Sequence, residues 1–301
     1  MRYRVTHSTG YRYSAPASLS QNELLLHPRG STWQTVENFQ LEVVPSPQHQ
    51  ASRIDYFGNR VDLFMVQHPH DSLSITTTST VATSAPESPP PETTPGWEET
   101  AGLLRSMSLS ESELDAVRFV FESPFCVNNR DVKDYGSRSF TPGTPILAGA
   151  LDLMTRIHKE FAYDKEASTV DSTVEHVLAT RKGVCQDFAH LAISCLRSLG
   201  LAARYVSGYL ETLPPPGKPR LVGADASHAW FSVFVPGFGW VDLDPTNNQA
   251  SGESYITVAW GRDYGDVTPV KGVVMGGGTH QLSVTVDVAP LDRGENPAAP
   301  V

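Results

Sequence analysis

The chain has 301 residues, of which 40% are hydrophobic and 19% charged, so it is long enough for about two domains with buried cores. Its 23 basic and 33 acidic side chains leave a net charge of −10, which argues against nucleic acid and anionic membrane as partners. No stretch approaches the roughly 20 apolar residues that span a bilayer, and the N-terminus has no apolar signal core. With only three cysteines, a disulfide framework is not expected. We therefore predict a soluble, cytoplasmic protein.

The first part of the chain has the alternating pattern of β-strands. Apolar and polar residues alternate from the N-terminus onwards, and Gly58-Asn59 lies between two apolar runs as a hairpin turn would. No helical period competes here, so residues 1–83 are predicted to form an antiparallel β-domain. Residues 84–97 are rich in proline and predict a semi-rigid linker.

Helical signals begin after the linker. Helix starts are indicated at Ser110–Glu113 and Ser172–Glu175, which have the spacing of capping boxes, and at Thr144–Pro145, where proline would take the first helical position. The clearest helix comes next, with apolar residues at helical spacing over 188–199 and Gly200 at the expected C-cap.

Beyond this helix the pattern returns to alternation. Strands are predicted at Ala203–Leu210, His228–Val235 and Trp240–Asp244, and the tail contains further short β segments around a glycine turn at 276–278. The order of strands, helices and strands predicts an α+β protein, in which helices pack on an antiparallel sheet within a second domain at 98–301.

The three cysteines have different surroundings. Cys195 lies on the apolar stripe of its helix and Cys126 has no ionisable neighbour, so we interpret both as packed thiols. Cys185 falls in the first turn of the clearest helix, where unpaired N–H groups and the helix dipole stabilise a thiolate. Arg181 and Lys182 precede it and favour the anion in the same way. Cys185 is therefore the candidate nucleophile.

A catalytic thiolate needs a general base and a group that orients the base. His190 shares the helix but lies roughly 140° away from the face of Cys185. His228 opens one strand of a predicted hairpin whose return strand carries Asp242 and Asp244. Asp244 falls opposite position 230 or 231, depending on a bulge, and one of these registers brings it within reach of the histidine. It is the better orienting carboxylate, although a role confined to capping the next turn stays open.

Four sequence blocks resemble the core of the transglutaminase-like superfamily, in the order and spacing of that family. They are Lys-Gly-Val-Cys-Gln-Asp-Phe-Ala-His-Leu at 182–191, Ala-Arg-Tyr-Val-Ser-Gly-Tyr at 203–209, Asp-Ala-Ser-His-Ala-Trp at 225–230 and Gly-Trp-Val-Asp-Leu-Asp-Pro-Thr-Asn at 239–247. Residues 1–83 resemble the N-terminal β-region that often precedes this core in bacterial members, and residues 259–267 resemble the segment after the core in those members. The resemblance thus covers nearly the whole chain.

The resemblance implies a papain-like arrangement in which Cys185 is the nucleophile, His228 the base and Asp244 the orienting acid. The implied function is a thiol-dependent hydrolase that cleaves amide or peptide bonds of a peptide or protein through a thioester. It implies no cofactor or metal, since no loop is acidic enough for calcium sites. Two alternatives stay open: a protein-glutamine γ-glutamyltransferase with an amine acceptor, and a non-catalytic peptide-binding scaffold.

Substrate contacts are predicted less sharply than the nucleophile. The backbone N–H of Cys185 and the side chain of Gln186 are candidates for an oxyanion hole. Aromatic residues that could wall the cleft, with ordinary sheet core as an equally open role, are Tyr205, Tyr209, Trp230 and Trp240.

Overall fold

The computed structural model describes residues 1–167, 169–211 and 227–291, so Asp225 and Ala226 of the third sequence block lie outside the described residues. The strands are β1 (Arg2–Leu24), β2 (Gln34–Val44), β3 (His49–Ile54), β4 (Arg60–Val66), β5 (His70–Thr83), β6 (Ala162–Tyr163), β7 (Lys182–Gly183), β8 (Ala203–Leu210), β9 (Ser227–Val235), β10 (Gly239–Asp244), β11 (Gln249–Ala250), β12 (Tyr255–Gly261), β13 (Val270–Gly276) and β14 (His280–Pro290). The helices are α1 (Trp97–Leu103), α2 (Glu111–Val117), α3 (Arg130–Ser137), α4 (Ile146–Glu160), α5 (Val174–Thr180), α6 (Cys185–Ser198) and α7 (Tyr264–Val267).

The N-terminal sheet, formed by β1–β5 with β13 and β14, is built around β1. This 23-residue strand pairs antiparallel with β5 and β4 along one side and with β14 and β13 along the other. The alternation in the sequence corresponds to alternate burial, because Tyr3 and Val5 face the core while their neighbours face solvent. The predicted hairpin is present, since β3 pairs with β4, but its connection spans residues 55–59 and not Gly58-Asn59 alone.

The C-terminal strands β13 and β14 belong to the N-terminal sheet and not to the sheet formed by β8–β12. The sequence predicts one core over residues 98–301 that includes the C-terminal β segments, whereas β13 and β14 hydrogen bond to β1. The pairing joins residues that are far apart in sequence, such as Leu24 with Val270 and Tyr13 with His280. A local pattern carries no information about such a partner.

The predicted helices are present, with two shifted starts. Proline at 145 is the N-cap of α4 and not its first residue. Thr173, and not Ser172, caps α5 by accepting from the N–H of His176. Neighbouring Ser and Thr residues are both good N-caps, so the pattern could not choose between them. The C-cap of α6 is Leu199, and Gly200, the predicted C-cap, follows it with φ +81°, the left-handed conformation that commonly ends a helix.

The core sheet, formed by β8–β12, is antiparallel with strand order β11-β10-β9-β8-β12. Alternate side chains of β9, including Ala229, Phe231 and Val233, are buried in the same apolar core as α6. Helices therefore pack on an antiparallel sheet, as the α+β prediction required. In the part of the chain that the structure describes, no helix is both long and apolar enough to cross a membrane.

Two side-chain amides join the N-terminal sheet to β12, the edge strand of the core sheet. Gln34 donates to the carbonyl of Thr257 at 2.7 Å and accepts from its N–H at 2.8 Å. Asn59 makes the same pair of bonds with Trp260, at 2.8 and 3.0 Å. Both amides are buried, and they replace the strand neighbour that an edge strand lacks.

Candidate active site

Cys185 is the first residue of α6, and the chain around it is held in place. β7 pairs in parallel with β6, so that Gly183 lies beside Tyr163. The backbone N–H of Val184 donates to Oδ2 of Asp187 at 2.7 Å, which closes the first turn of the helix. The free, half-buried thiol of Cys185 therefore lies at an ordered helix start, where unpaired N–H groups favour an anion.

His228 contacts both of its predicted partners. Its Nε2 lies 2.7 Å from Oδ2 of Asp244, and the side chain of Cys185 is close enough to contribute to its raised pKa. An imidazole has two ring nitrogens, so Nδ1 is the nitrogen left for the thiol when Nε2 faces the carboxylate. The structure thus brings the three predicted side chains together.

The β9–β10 hairpin determines which aspartate reaches the histidine. Leu243 pairs with Phe231 at the end of the register, so Asp244 is level with Trp230. The sequence left position 230 or 231 open, and the observed register selects 230. Asp242 lies farther along the strand and accepts from the indole N–H of Trp230 at 3.0 Å.

The carboxylate of Asp244 is completely buried and fully hydrogen bonded. Its Oδ1 accepts from the backbone N–H groups of Thr246 and Asn247 at 2.8 and 3.3 Å, so it caps the next turn as well. Its Oδ2 accepts from the Asn247 amide at 2.6 Å and from the Tyr255 hydroxyl at 2.8 Å, in addition to His228. Burial alone raises the pKa of Asp244, but these hydrogen bonds outweigh burial and lower the pKa below its usual value.

The protonation of His228 is determined by its two neighbours. Burial alone lowers the pKa of His228, but the hydrogen bonds and charges of Asp244 and Cys185 outweigh burial and raise the pKa to about 10. A protonated imidazole beside a thiol at a helix start stabilises the thiolate. The site therefore places a titratable imidazole beside the sulfur of Cys185, which is the arrangement that a nucleophilic cysteine requires.

The other two cysteines are packed thiols, as predicted. Cys195 and Cys126 are completely buried, and their thiols donate to the backbone carbonyls of Val132 at 3.5 Å and of His190 at 3.8 Å. Burial raises the pKa of each thiol to about 12. Both remain protonated at neutral pH, so neither competes with the thiol of Cys185 for reagents.

The candidates for substrate contact lie in different places. Gln186 is half-buried beside Cys185, and its side-chain amide donates to the carbonyl of Val170 at 3.0 Å. Tyr205, Tyr209 and Trp230 are at most 2% exposed and belong to the core of the sheet. They pack beneath the site and do not wall an open cleft.

Trp240 is half-buried and lines a different cleft. That cleft has a volume of about 690 Å³ and is also lined by Trp33 and Arg204, with the Arg204 guanidinium 4.3 Å from the Trp240 ring. Trp240 and Asp244 are four positions apart on β10, which is about 13 Å along a strand. The residues around the Trp240 side chain are therefore not Cys185 and His228.

Tyr255 and Asn247 contact Asp244 although sequence reasoning did not select either of them. Asn247 stands within the fourth sequence block, three residues after Asp244, where a turn amide returns to a preceding carboxylate. Tyr255 offered no local signal, because it begins a strand at the far edge of the sheet. Among the described residues, no three His, Cys, Asp or Glu side chains gather as a metal site would require.

A helix that begins with cysteine, packed on an antiparallel sheet that carries histidine and a buried aspartate, defines a papain-like α+β protein with a thiol–imidazole–carboxylate site. The family description of the transglutaminase-like superfamily matches residues 135–245. That of the bacterial transglutaminase-like N-terminal region matches residues 3–82. The chain belongs to the transglutaminase-like superfamily.

Relatives of similar length are found in mycobacteria. An uncharacterized protein of Mycobacterium tuberculosis is 42% identical over 97% of this chain and 93% of its own length. One from Mycobacterium leprae is 36% identical over 96% of this chain and 99% of its own length. A protein-glutamine gamma-glutamyltransferase of Pseudomonas aeruginosa is 36% identical over 30% of this chain and 14% of its own length.

A solved structure shares the whole fold. It is that of a proposed cysteine protease from Cytophaga hutchinsonii, with a TM-score of 0.74, 20% sequence identity, and coverage of 97% of this chain and 91% of that chain. The likeness extends over both sheets, and at this identity it concerns the fold alone.

Proposed function

We propose that the protein is a thiol-dependent hydrolase of amide or peptide bonds, with a peptide or protein as substrate. The observation that carries the proposal is that His228 hydrogen bonds to the buried carboxylate of Asp244 and interacts with the side chain of Cys185 at the start of α6. This is the relation of nucleophile, base and orienting group that acyl transfer requires. The cytoplasmic location stays a prediction.

The proposed reaction has two proton-balanced halves. The Cys185 thiol gives its proton to His228, and the thiolate attacks the carbonyl carbon of the substrate. The C–N bond then breaks as the imidazolium gives the proton to the leaving amine, which leaves a thioester on the sulfur. Water attacks the thioester while His228 takes a proton from it. The carboxylic acid is released and the proton returns to the sulfur.

Hydrolysis is preferred to amine transfer because it requires only these side chains and water. Transfer needs a site for an amine acceptor in addition. The short match to the Pseudomonas aeruginosa gamma-glutamyltransferase makes transfer the second candidate. The two reactions share the thioester, so the acceptor is what an experiment must identify.

The test measures turnover of a peptide mixture by mass spectrometry in H₂¹⁸O, with and without a dansylated primary amine. We expect ¹⁸O in the product carboxylate in the wild type, and a loss of kcat/KM on the order of 10⁴-fold in Cys185→Ala and in His228→Ala. Cys195→Ala is the matched control, since it removes a buried thiol outside the site, and it should keep the wild-type rate. Incorporation of the amine would establish transfer, and equal turnover in all variants would leave the scaffold alternative.

A further inference from the structure

The carboxylate of Asp244 is hydrogen bonded to other groups besides the histidine that it orients. Its Oδ2 atom accepts three hydrogen bonds, from Nε2 of His228, from the amide of Asn247 and from the hydroxyl of Tyr255, at 2.7, 2.6 and 2.8 Å. Asn247 lies close to Asp244 in the same turn. Tyr255 comes from β12, so besides His228 itself it is a group that holds this oxygen from outside the turn.

The direction of the Tyr255 hydroxyl bond is determined by Gln249. The Gln249 amide nitrogen lies 2.8 Å from the Tyr255 oxygen, and an amide nitrogen can only donate. The hydroxyl oxygen therefore accepts from Gln249, and its single proton is directed to Asp244. Burial and the charge of Asp244 raise the pKa of Tyr255, so the hydroxyl stays protonated and remains a donor.

Tyr255 is itself fixed by its surroundings. It is 4% exposed, and its ring makes an edge contact with Trp230 at 5.2 Å between centroids. The ring of His228 lies 6.4 Å away. Beside it, Gly208 leaves the space that Trp230 occupies, because a Cβ there would lie 2.7 Å from the indole. The phenol therefore has one orientation, and its burial keeps it away from the substrate.

We propose that Tyr255 is a positioning residue, which fixes Oδ2 of Asp244 against Nε2 of His228 while Gln249 orients its hydroxyl. The chain of contacts runs Gln249, Tyr255, Asp244, His228 and Cys185. The inference rests on the proposed function, because it assigns Tyr255 a part in aligning the base of that reaction. Without the hydroxyl, the carboxylate keeps its charge but loses one of the five hydrogen bonds that fix its rotation about the Cβ–Cγ bond.

The test compares Tyr255→Phe with Ser20→Ala. Ser20 is a matched control because its completely buried hydroxyl hydrogen bonds with His70 at 2.9 Å, in the N-terminal sheet. We expect both variants to lose similar thermal stability, whereas only Tyr255→Phe lowers kcat, by about tenfold, with KM unchanged. A kcat equal to that of Ser20→Ala, or a loss that appears in KM alone, would overturn the inference.

Two further measurements keep the test decisive. If Tyr255→Phe does not fold, Gln249→Ala replaces it, because Gln249 is exposed. In that variant a lower kcat at unchanged KM supports the inference, and a wild-type kcat overturns it.

If the wild type has no turnover that depends on Cys185, the proposed function fails by itself. The rate at which iodoacetamide alkylates Cys185 then reports the alignment without substrate. A slower rate in Tyr255→Phe than in Ser20→Ala supports the inference, and equal rates overturn it.

Discussion

At the scale of single residues, the charge on His228 links the site to the stability of the fold. Its pKa is raised from 6.5 to about 10 in the folded protein, so the folded state binds a proton more tightly than the unfolded chain. Such a group contributes stability that is fully present below the unfolded pKa of 6.5 and is lost as the pH rises through the folded pKa. The imidazolium that would serve as the acid in catalysis therefore also stabilises the fold.

This linkage predicts a pH-dependent difference between the wild type and His228→Gln. The free energy of unfolding of the wild type should exceed that of the variant most at about pH 6, and the difference should shrink steadily towards about pH 10. Urea unfolding at several pH values measures it. His280→Gln is the control, since His280 is exposed and should follow the wild-type curve. A difference that is constant with pH would contradict the raised pKa.

A residue of the site could be predicted from the sequence only where neighbouring residues in the chain indicate its position. Cys185 could be predicted because a helix start is a pattern of neighbouring residues, and Asp244 because a hairpin relates two adjacent strands. Tyr255 could not be predicted, because its contact with Asp244 depends on the order of strands in the sheet. For Tyr205 the sequence left a cleft wall and sheet core equally open, because alternation does not show that both faces of β8 are covered.

At the scale of elements, the start of α6 depends on the absence of a side chain at Gly183. A methyl group there would lie 2.8 Å from Oδ2 and 2.9 Å from Cβ of Asp187, the side chain that accepts from the N–H of Val184. Something must move, and what moves is the turn that presents Cys185. The glycine in the sequence block is therefore a requirement of the helix start.

We expect Gly183→Ala to lower the free energy of unfolding by about 1 kcal/mol, the usual value of a lost N-cap interaction, and to reduce kcat at the same time. Gly102→Ala is the matched control, because Gly102 lies in α1 with open space where its Cβ would be. That variant should be neutral or slightly more stable, since alanine favours a helix. Chemical denaturation and steady-state kinetics measure both effects. Equal behaviour of the two variants would refute the steric argument.

At the scale of the whole molecule, the N-terminal strand and the last described strands are joined in one sheet. β1 lies between β5 and β14, so the N-terminal sheet is complete only when the last described strands pair with β1. The sequence could show that both regions are β-strands, but not that they pair, because pairing over such a separation leaves no local trace. The same limit applies to the junction of the two sheets, to which the side chains of Gln34 and Asn59 contribute.

At that junction Gln34 and Asn59 bind the backbone of β12. Their replacement by alanine removes the partners of the N–H groups of Thr257 and Trp260 and of the Trp260 carbonyl, whereas the carbonyl of Thr257 still accepts from the N–H of Arg29. Each polar group left without a partner costs about 1–3 kcal/mol. Because β12 also begins with Tyr255, the double variant Gln34→Ala/Asn59→Ala should lose both stability and kcat.

Thermal unfolding and steady-state kinetics of the double variant check this, with Asn38→Ala as the control because Asn38 is exposed on β2. The control should keep the wild-type melting temperature and kcat. In the double variant we expect a melting temperature lower by several degrees, with a decrease in kcat because β12 no longer holds Tyr255 against Asp244. A loss of stability with an unchanged kcat would show that the N-terminal sheet supports the fold but not the site.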